Sequence, residues 1–447
     1  MKGKDCHFRA IIVGMALLVC VGPVDATESF ESISYRLSQN DDYLVDERLQ
    51  ELAKRGDSAA AKLLADRWSA SSDYGLLKSA IDLYITGFDR GRGDPSALSG
   101  LARLGSGTPY LQQNVRERLT ELLRYLRVDA TNENTRVALD VYVEYPDLAT
   151  EQEFERALAL YQRSCEPPCH TDTYIAKRAE YHGNESEALL LYQVAMKTDA
   201  KAVTEYLELV GEDGRKELTV FAADNKTGIN DFCAECIDMI AQEIGRGDGE
   251  SDSTVMYWLD QSISSGAVAS MVVKAEYMMD RPVTYNYEPV LSLIDEVRAI
   301  SPDDAVYLES QALLVYQWLI LNPPKSEQLI TQLEFSRPVQ AKFARAQLYV
   351  MGGLDEPDPQ KAISVYEDLI AEKKINAIYR IGALYDGAAG VPKDLVKAYA
   401  YAAVASDLGN RQARYMVARL TPELSVEQQA EALQFRQEIM TELERSL

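Results

Sequence analysis

Two cysteine pairs, Cys165-x3-Cys169 and Cys233-x2-Cys236, are the residues of this sequence best placed to do chemistry. Thiols at such spacings form local disulfides, ligate zinc, or exchange disulfides with other proteins. His170, beside Cys169, would be the extra ligand of a zinc site. Redox Cys-x-x-Cys motifs usually follow a strand at a helix start, and DFCAECIDMIAQEI shows no strand ahead of its cysteines. Two local disulfides are the favoured reading, and zinc is the sharper alternative. A second candidate is the Gly-rich stretch GALYDGAAGVPKDLVKAYAYAAVASDLG, Gly382 to Gly409. A phosphate cradle needs GxxxxGK[ST] after a strand, whereas Lys393 is followed by Asp394 and the pattern ahead is helical. Histidine occurs only as His7, His170 and His182, with no HExxH or GxSxG motif beside them. Among 70 acidic residues no carboxylate pair stands apart from a solvated surface, and GDGESD lacks the spaced ligands of a calcium loop.

The N-terminus speaks to location. Lys2, Lys4 and Arg9 precede an apolar run from Ala10 to Val21, and Val24-Asp25-Ala26 supplies small residues where a signal peptidase reads. This predicts a secretory signal over residues 1–26, cleaved between Ala26 and Thr27. The run of 12 apolar residues is too short to span a bilayer. Cys20 raises lipidation as a competing outcome, but Val19 stands where such sites carry Gly, Ala or Ser. The expected product is periplasmic, soluble or attached to the outer membrane, and placed where disulfides persist. A net charge of −24 argues against nucleic acid as a partner.

Positioning elements emerge from internal repetition. Ala269, Ala305, Ala341, Ala377 and Ala413 are each 36 residues apart, and Ala346, Gly382 and Ala418 are small in the same register. Leu348-Tyr349 recurs as Leu384-Tyr385, Asp358 as Asp394, and Ala362 as Ala398. Within a unit, Ala377, Ile381, Leu384 and Tyr385 form one helical stripe. Gly387 to Gly390 then break the helix, Pro392 suits the first turn of the next, and Gly409 ends it. Small residues at 382 and 398 let two helix backbones approach closely. Tyrosine is abundant, 26 against 9 phenylalanines, and Tyr285 and Tyr287 fall outside the helical period, where they could face a groove. A helix pair cannot bury both faces alone, so neighbours must stack into an all-α, right-handed superhelical solenoid. Degenerate repeats are expected over 27–260, regular ones over 261–420, and a capping helix over 421–447, opened by Ser425-x-x-Gln428. Cys165 and Cys233 are 68 residues apart, about two repeats, too far for one disulfide if helices stack ~8–10 Å apart.

A first helix ending LYxxGxGVxxD, then KAxxYxxxAxxxG and a further Ala, resembles the Sel1-like repeats, relatives of tetratricopeptide repeats. Leu384, Tyr385, Gly390, Val391, Asp394, Lys397, Ala398, Tyr401, Ala405, Gly409 and Ala413 carry the pattern. Ala388 departs from it, holding the first loop-glycine position. The exported architecture and the closing LTPELSVEQ are similar to the AlgK family of alginate export scaffolds. That resemblance implies a non-enzymatic periplasmic scaffold without cofactor or metal. Its partners would be an outer-membrane porin and periplasmic polymer-modifying proteins. The family is usually lipid-anchored, a point at which Val19-Cys20 departs from it. Two other readings are an adaptor of another envelope pathway and an enzyme with a Cys-based redox or zinc site.

Overall fold

The computed structural model describes residues 29–38, 44–128, 130–165, 169–247, 251–316, 320–352, 356–387 and 391–445. The expected signal segment with Ala26, Thr27 and Cys20 lies outside them, as do Ala388 and Gly390. Among the described residues there are α-helices and short 3-10 turns but no strand, and successive helices pack on one another as a superhelical solenoid. The regular part alternates first helices (Val268–Met279, Pro302–Val315, Pro338–Met351, Ile375–Tyr385, Arg411–Leu420) with second helices (Tyr287–Ile300, Pro323–Ser336, Pro359–Ala371, Leu395–Asp407). Helices also fill 105–150, where the sequence shows little repetition, as Gln112–Leu122 and Asn132–Glu144.

Each second helix starts on a side-chain cap that keeps the 36-residue step. Asn286, Asn322, Asp358 and Asp394 accept from the backbone N–H of Tyr287 (2.8 Å), Lys325, Lys361 and Lys397 (3.1 Å each). Such a cap satisfies a donor the helix leaves open and contributes about 1 kcal/mol. Asp394 also corrects the expectation for Pro392. The helix begins at Leu395, after the cap, and the proline stands ahead of it in the loop.

Close contact between the two helices of a pair falls at one register. Ser326 Oγ donates to the Ser310 carbonyl at 2.9 Å across the first such crossing, and Ala346 and Ala362 are both buried in the next. At the third, a Cβ on Gly382 would lie 3.2 Å from the Ala398 carbonyl and 3.3 Å from the Ala402 nitrogen. Ala305, Ala341, Ala377 and Ala413 are fully buried on their first helices, whereas Ala269, the first of that ladder, is exposed. Ala418 breaks the series and is exposed, because the last helix, Val426–Arg445, packs mainly on Leu395–Asp407.

The superhelix closes on itself. Lys374 pairs with Asp73, 301 residues away in the chain, through an isolated antiparallel bridge and a 2.6 Å ion pair. Beside it Tyr74 N–H donates to the Lys373 carbonyl (3.1 Å) and Ile375 N–H to Ser72 (3.0 Å). Gly409 adopts φ +96°, and a Cβ there would meet the Gly107 carbonyl at 2.9 Å, so the seam needs glycine for both reasons. Ile375, Ile378, Val404, Leu408, Ile439 and Met440 share one buried cluster with Tyr74, Leu77 and Leu104. The last helix, expected as a polar cap, therefore buries residues against early repeats, and its Glu444 accepts from the Tyr110 hydroxyl. A second closure reaches the middle of the chain. Arg411 donates to Glu243 at 3.2 Å, alongside Arg215 at 3.0 Å, and that carboxylate is 2% exposed.

Two predictions follow from the packing and the seam. Gly382→Leu overpacks the helix crossing and should destabilise by about 1–3 kcal/mol. Lys393→Ala, half exposed in its ion pairs, should change stability by less than about 0.5 kcal/mol in the same melts. Lys374→Glu sets two carboxylates together at the seam and should lower the melting temperature and enlarge the radius of gyration by small-angle scattering. The Asp73→Lys, Lys374→Glu swap should restore both.

Candidate interaction cleft

The first helices turn one face towards the inside of the superhelix, and there they line a cleft of about 650 Å³. Its residues come from five successive first helices, from Tyr366 on a second helix, and from Ser72 across the seam. Two columns keep the repeat step. Asp304, Gln340, Asn376 and Gln412 form a polar column; Tyr307, Phe343 and Tyr379, one helical turn further on, form an aromatic one. Both follow from helix geometry, since residues i and i+3 share a face and stacking repeats them on each neighbour.

The charges in the cleft are mixed. Arg337 is held by Asp304 and by Asp303 at 3.4 Å, and also donates to Gln340 at 3.3 Å. Arg380 is exposed, and among the described residues no hydrogen bond or ion pair engages it. Burial holds the Glu276 carboxyl above the usual range, with Arg246 and Arg380 pulling the other way. Burial also raises the Tyr307 phenol, reinforced by Glu276, and raises Tyr366 against the pull of Arg380. A neutral phenol offers one O–H donor. Among the described lining residues there is no histidine or cysteine, so the surface suits binding by amides, rings and one free guanidinium.

Residues singled out for chemistry lie elsewhere. The Cys165 and Cys169 sulfurs stand at bonding distance with Cα atoms 5.9 Å apart, and those of Cys233 and Cys236 with Cα atoms 5.0 Å apart. Cys233 caps the Ala234–Gly245 helix, accepting from Cys236 N–H, and Cys236 is fully buried. His170 Nδ1 faces Asp199 at 3.9 Å and His182 Nε2 faces Glu151 at 3.2 Å. Among the described residues no group of three or more His, Cys, Asp or Glu is placed to hold a metal ion. Tyr285 and Tyr287, expected outside the helical period, are half-buried. Tyr285 packs on Tyr277 of the first helix in its own pair (6.1 Å between centroids), and Tyr287 on Tyr316 at the end of the next first helix (6.5 Å). The cleft columns were present in the sequence at period 36, but helical periodicity alone does not tell which stripe faces inward.

No protein-family model matches the sequence. Alginate biosynthesis protein AlgK of Pseudomonas syringae pv. tomato is 21% identical over 434 residues, covering 95% of this chain and 90% of that one. A protective antigen of uropathogenic Escherichia coli with an SLR fold is 17% identical, covering 92% of this chain and 91% of its own, with a TM-score of 0.26. A Sel1 repeat protein from Oxalobacter formigenes is 15% identical, covering 87% and 93%, with a TM-score of 0.30. Superpositions this loose add nothing to the arrangement, which rests on the helices themselves. The repeat pattern and the helical solenoid resemble those of Sel1-like repeat proteins, and the sequence is similar to AlgK along nearly its whole length.

Proposed function

We propose that the chain is a non-enzymatic periplasmic scaffold for protein–protein interactions in exopolysaccharide secretion, with alginate as the polymer. It would assist the outer-membrane export porin and hold periplasmic polymer-modifying proteins beside it. The observation that carries this reading is the similarity to an alginate biosynthesis protein over 95% of the chain. The inward cleft supports it physically, since a stacked array of helices offers one continuous surface of fixed shape. No described helix is long and apolar enough to cross a membrane. Outer-membrane attachment would rest on a lipid at Cys20 or on contact with the porin.

One observation favours a second reading. Cys233 lies at a helix N-terminus, where a thiolate is stabilised, and it is partly exposed. A redox enzyme would use the Cys233–Cys236 pair as a reversible dithiol. The scaffold reading assigns both cysteine pairs to structural disulfides in an oxidising compartment.

Two measurements decide between them. Deleting the gene should abolish polymer export while precursor synthesis continues; unchanged secretion would remove the alginate assignment. Peptide mapping of the unreduced protein should join Cys165 to Cys169 and Cys233 to Cys236, both resistant to millimolar glutathione. Catalytic turnover of a dithiol substrate through Cys233 would instead establish the enzyme.

A further inference from the structure

We propose that a cavity between the last helix and a late second helix docks a partner-protein segment carrying Lys or Arg beside a bulky apolar side chain. The apolar group would fill the cavity, and the cation would sit between Glu367 and Glu442. The proposal deepens the scaffold reading by naming the chemistry of a partner, and it rests on that reading.

The cavity forms where the last helix departs from the repeat. Val426–Arg445 packs mainly on Leu395–Asp407, and between it and Pro359–Ala371 a space of about 460 Å³ is left. Ile370, Ala371, Tyr401, Ile439 and Leu443 line it, with Glu367 and Glu442 among them. None of these residues lines the inward cleft. Tyr401 is held on both sides, stacked on Tyr385 (6.1 Å between centroids) and met by Phe435 (5.7 Å). A firm apolar pocket of this kind is what the anchoring side chain of an interface fills.

Charge selects the occupant. Burial pushes the Tyr401 phenol up to about 12, and the charges of Tyr385, Glu367 and Glu442 add to that, so both carboxylates act on one hydroxyl. Glu367 and Glu442 are exposed, and among the described residues neither has a hydrogen bond or an ion pair. Nearby carboxylates are matched, Glu372 by Lys342 and Asp407 by Arg436 at 2.6 Å. Two unmatched carboxylates beside an apolar cavity suit a cation on an apolar stem, as Lys and Arg are built.

An exposed apolar row leads to the cavity and requires an occupant longer than a small ligand. Ala299, Phe335 and Ala371 keep the 36-residue step at the ends of successive second helices, with Ile300 beside Ala299. Phe335 is 92% exposed and Ile300 58%. Ion pairs knit the junctions that carry them, Arg337 with Asp303 (3.4 Å) and Asp304, and Lys342 with Glu372. With helices ~10 Å apart the row is about 20 Å long, and it ends at Ala371 in the cavity wall. A polypeptide can cover the row and place one side chain in the cavity.

The test uses the full mature chain. A display library of random peptides of about twelve residues, long enough to cover row and cavity, is selected against the wild type and against a Glu367→Lys, Glu442→Lys variant. The most enriched peptide is synthesised and titrated by calorimetry. Ala371→Trp, which fills the cavity mouth, and Phe335→Ala serve as independent variants, and circular dichroism with thermal melts confirms that all are folded. Enrichment on the wild type alone is expected, with Lys or Arg next to a bulky apolar residue. Affinity should fall about tenfold on the double variant and recover when the basic residue of the peptide is changed to glutamate. Ala371→Trp and Phe335→Ala should each weaken the same peptide. No enrichment, equal enrichment on the double variant, or enriched peptides without a basic residue would each overturn the proposal. So would binding lost on Arg380→Glu but kept on the double variant, since that places the peptide in the inward cleft. Binding is read on the isolated chain, apart from the gene-deletion result. Unchanged secretion removes the alginate reading and leaves the docking site standing; lost peptide selectivity does the reverse.

Discussion

Close approach of two helix backbones at one repeated register is the contact on which the architecture depends. A helix pair covers only one face of each member, and its other faces must be covered by the pairs before and after it. The crossing at Ser310/Ser326, Ala346/Ala362 and Gly382/Ala398 sets how deeply the two members interlock. Because that crossing recurs every 36 residues, each pair is related to the next by nearly the same rotation and shift. Curvature then follows from repetition. The cap residues Asn286, Asn322, Asp358 and Asp394 keep that geometry in phase by starting each second helix at the same place.

Repetition alone would give an open spiral, and the closure at Asp73–Lys374 makes it a defined enclosure. Backbone pairing there supports the ion pair from both sides, so the contact does not depend on one exposed charge. Glu243 draws Arg215 and Arg411 together in the same way, linking a middle repeat to a late one. A carboxylate so fully buried needs its partners, since leaving it unpaired costs several kcal/mol. The two closures hold Ser72 and Gln412 at the rim of the cleft, so that cleft and seam are parts of one object. A protein that must hold partners in a fixed relation gains from such a frame, because a rigid surface loses less entropy on binding than a flexible one.

Much of the fold is legible in the sequence, because it depends on local properties. The alanine ladder from Ala341 to Ala413 and the close-packing positions follow from helical period and side-chain size, which are local properties. Pro392 shows the limit of local reading. A proline is compatible with a helix start, but Asp394 decides the start because its carboxylate satisfies an open N–H. Tyr285 and Tyr287 show another, for a residue outside the helical period can still be half-buried when a first helix before or after it supplies Tyr277 or Tyr316 to meet it. Gly409 was legible as a helix stop, while its second duty, admitting the Gly107 carbonyl, depends on a segment some three hundred residues away.

By itself, then, the sequence determined the helix pair, its period, the small-residue crossing and the all-α stack, because each follows from interactions within one or two repeats. The tertiary structure alone decided that the stack closes, that Arg380 is left without a partner among the described residues while Arg337 is neutralised, and which stripe of the first helices faces inward. Those facts depend on the accumulated rotation of many repeats. A small change in each step, invisible in any one unit, moves the two ends of the chain relative to each other by many ångströms.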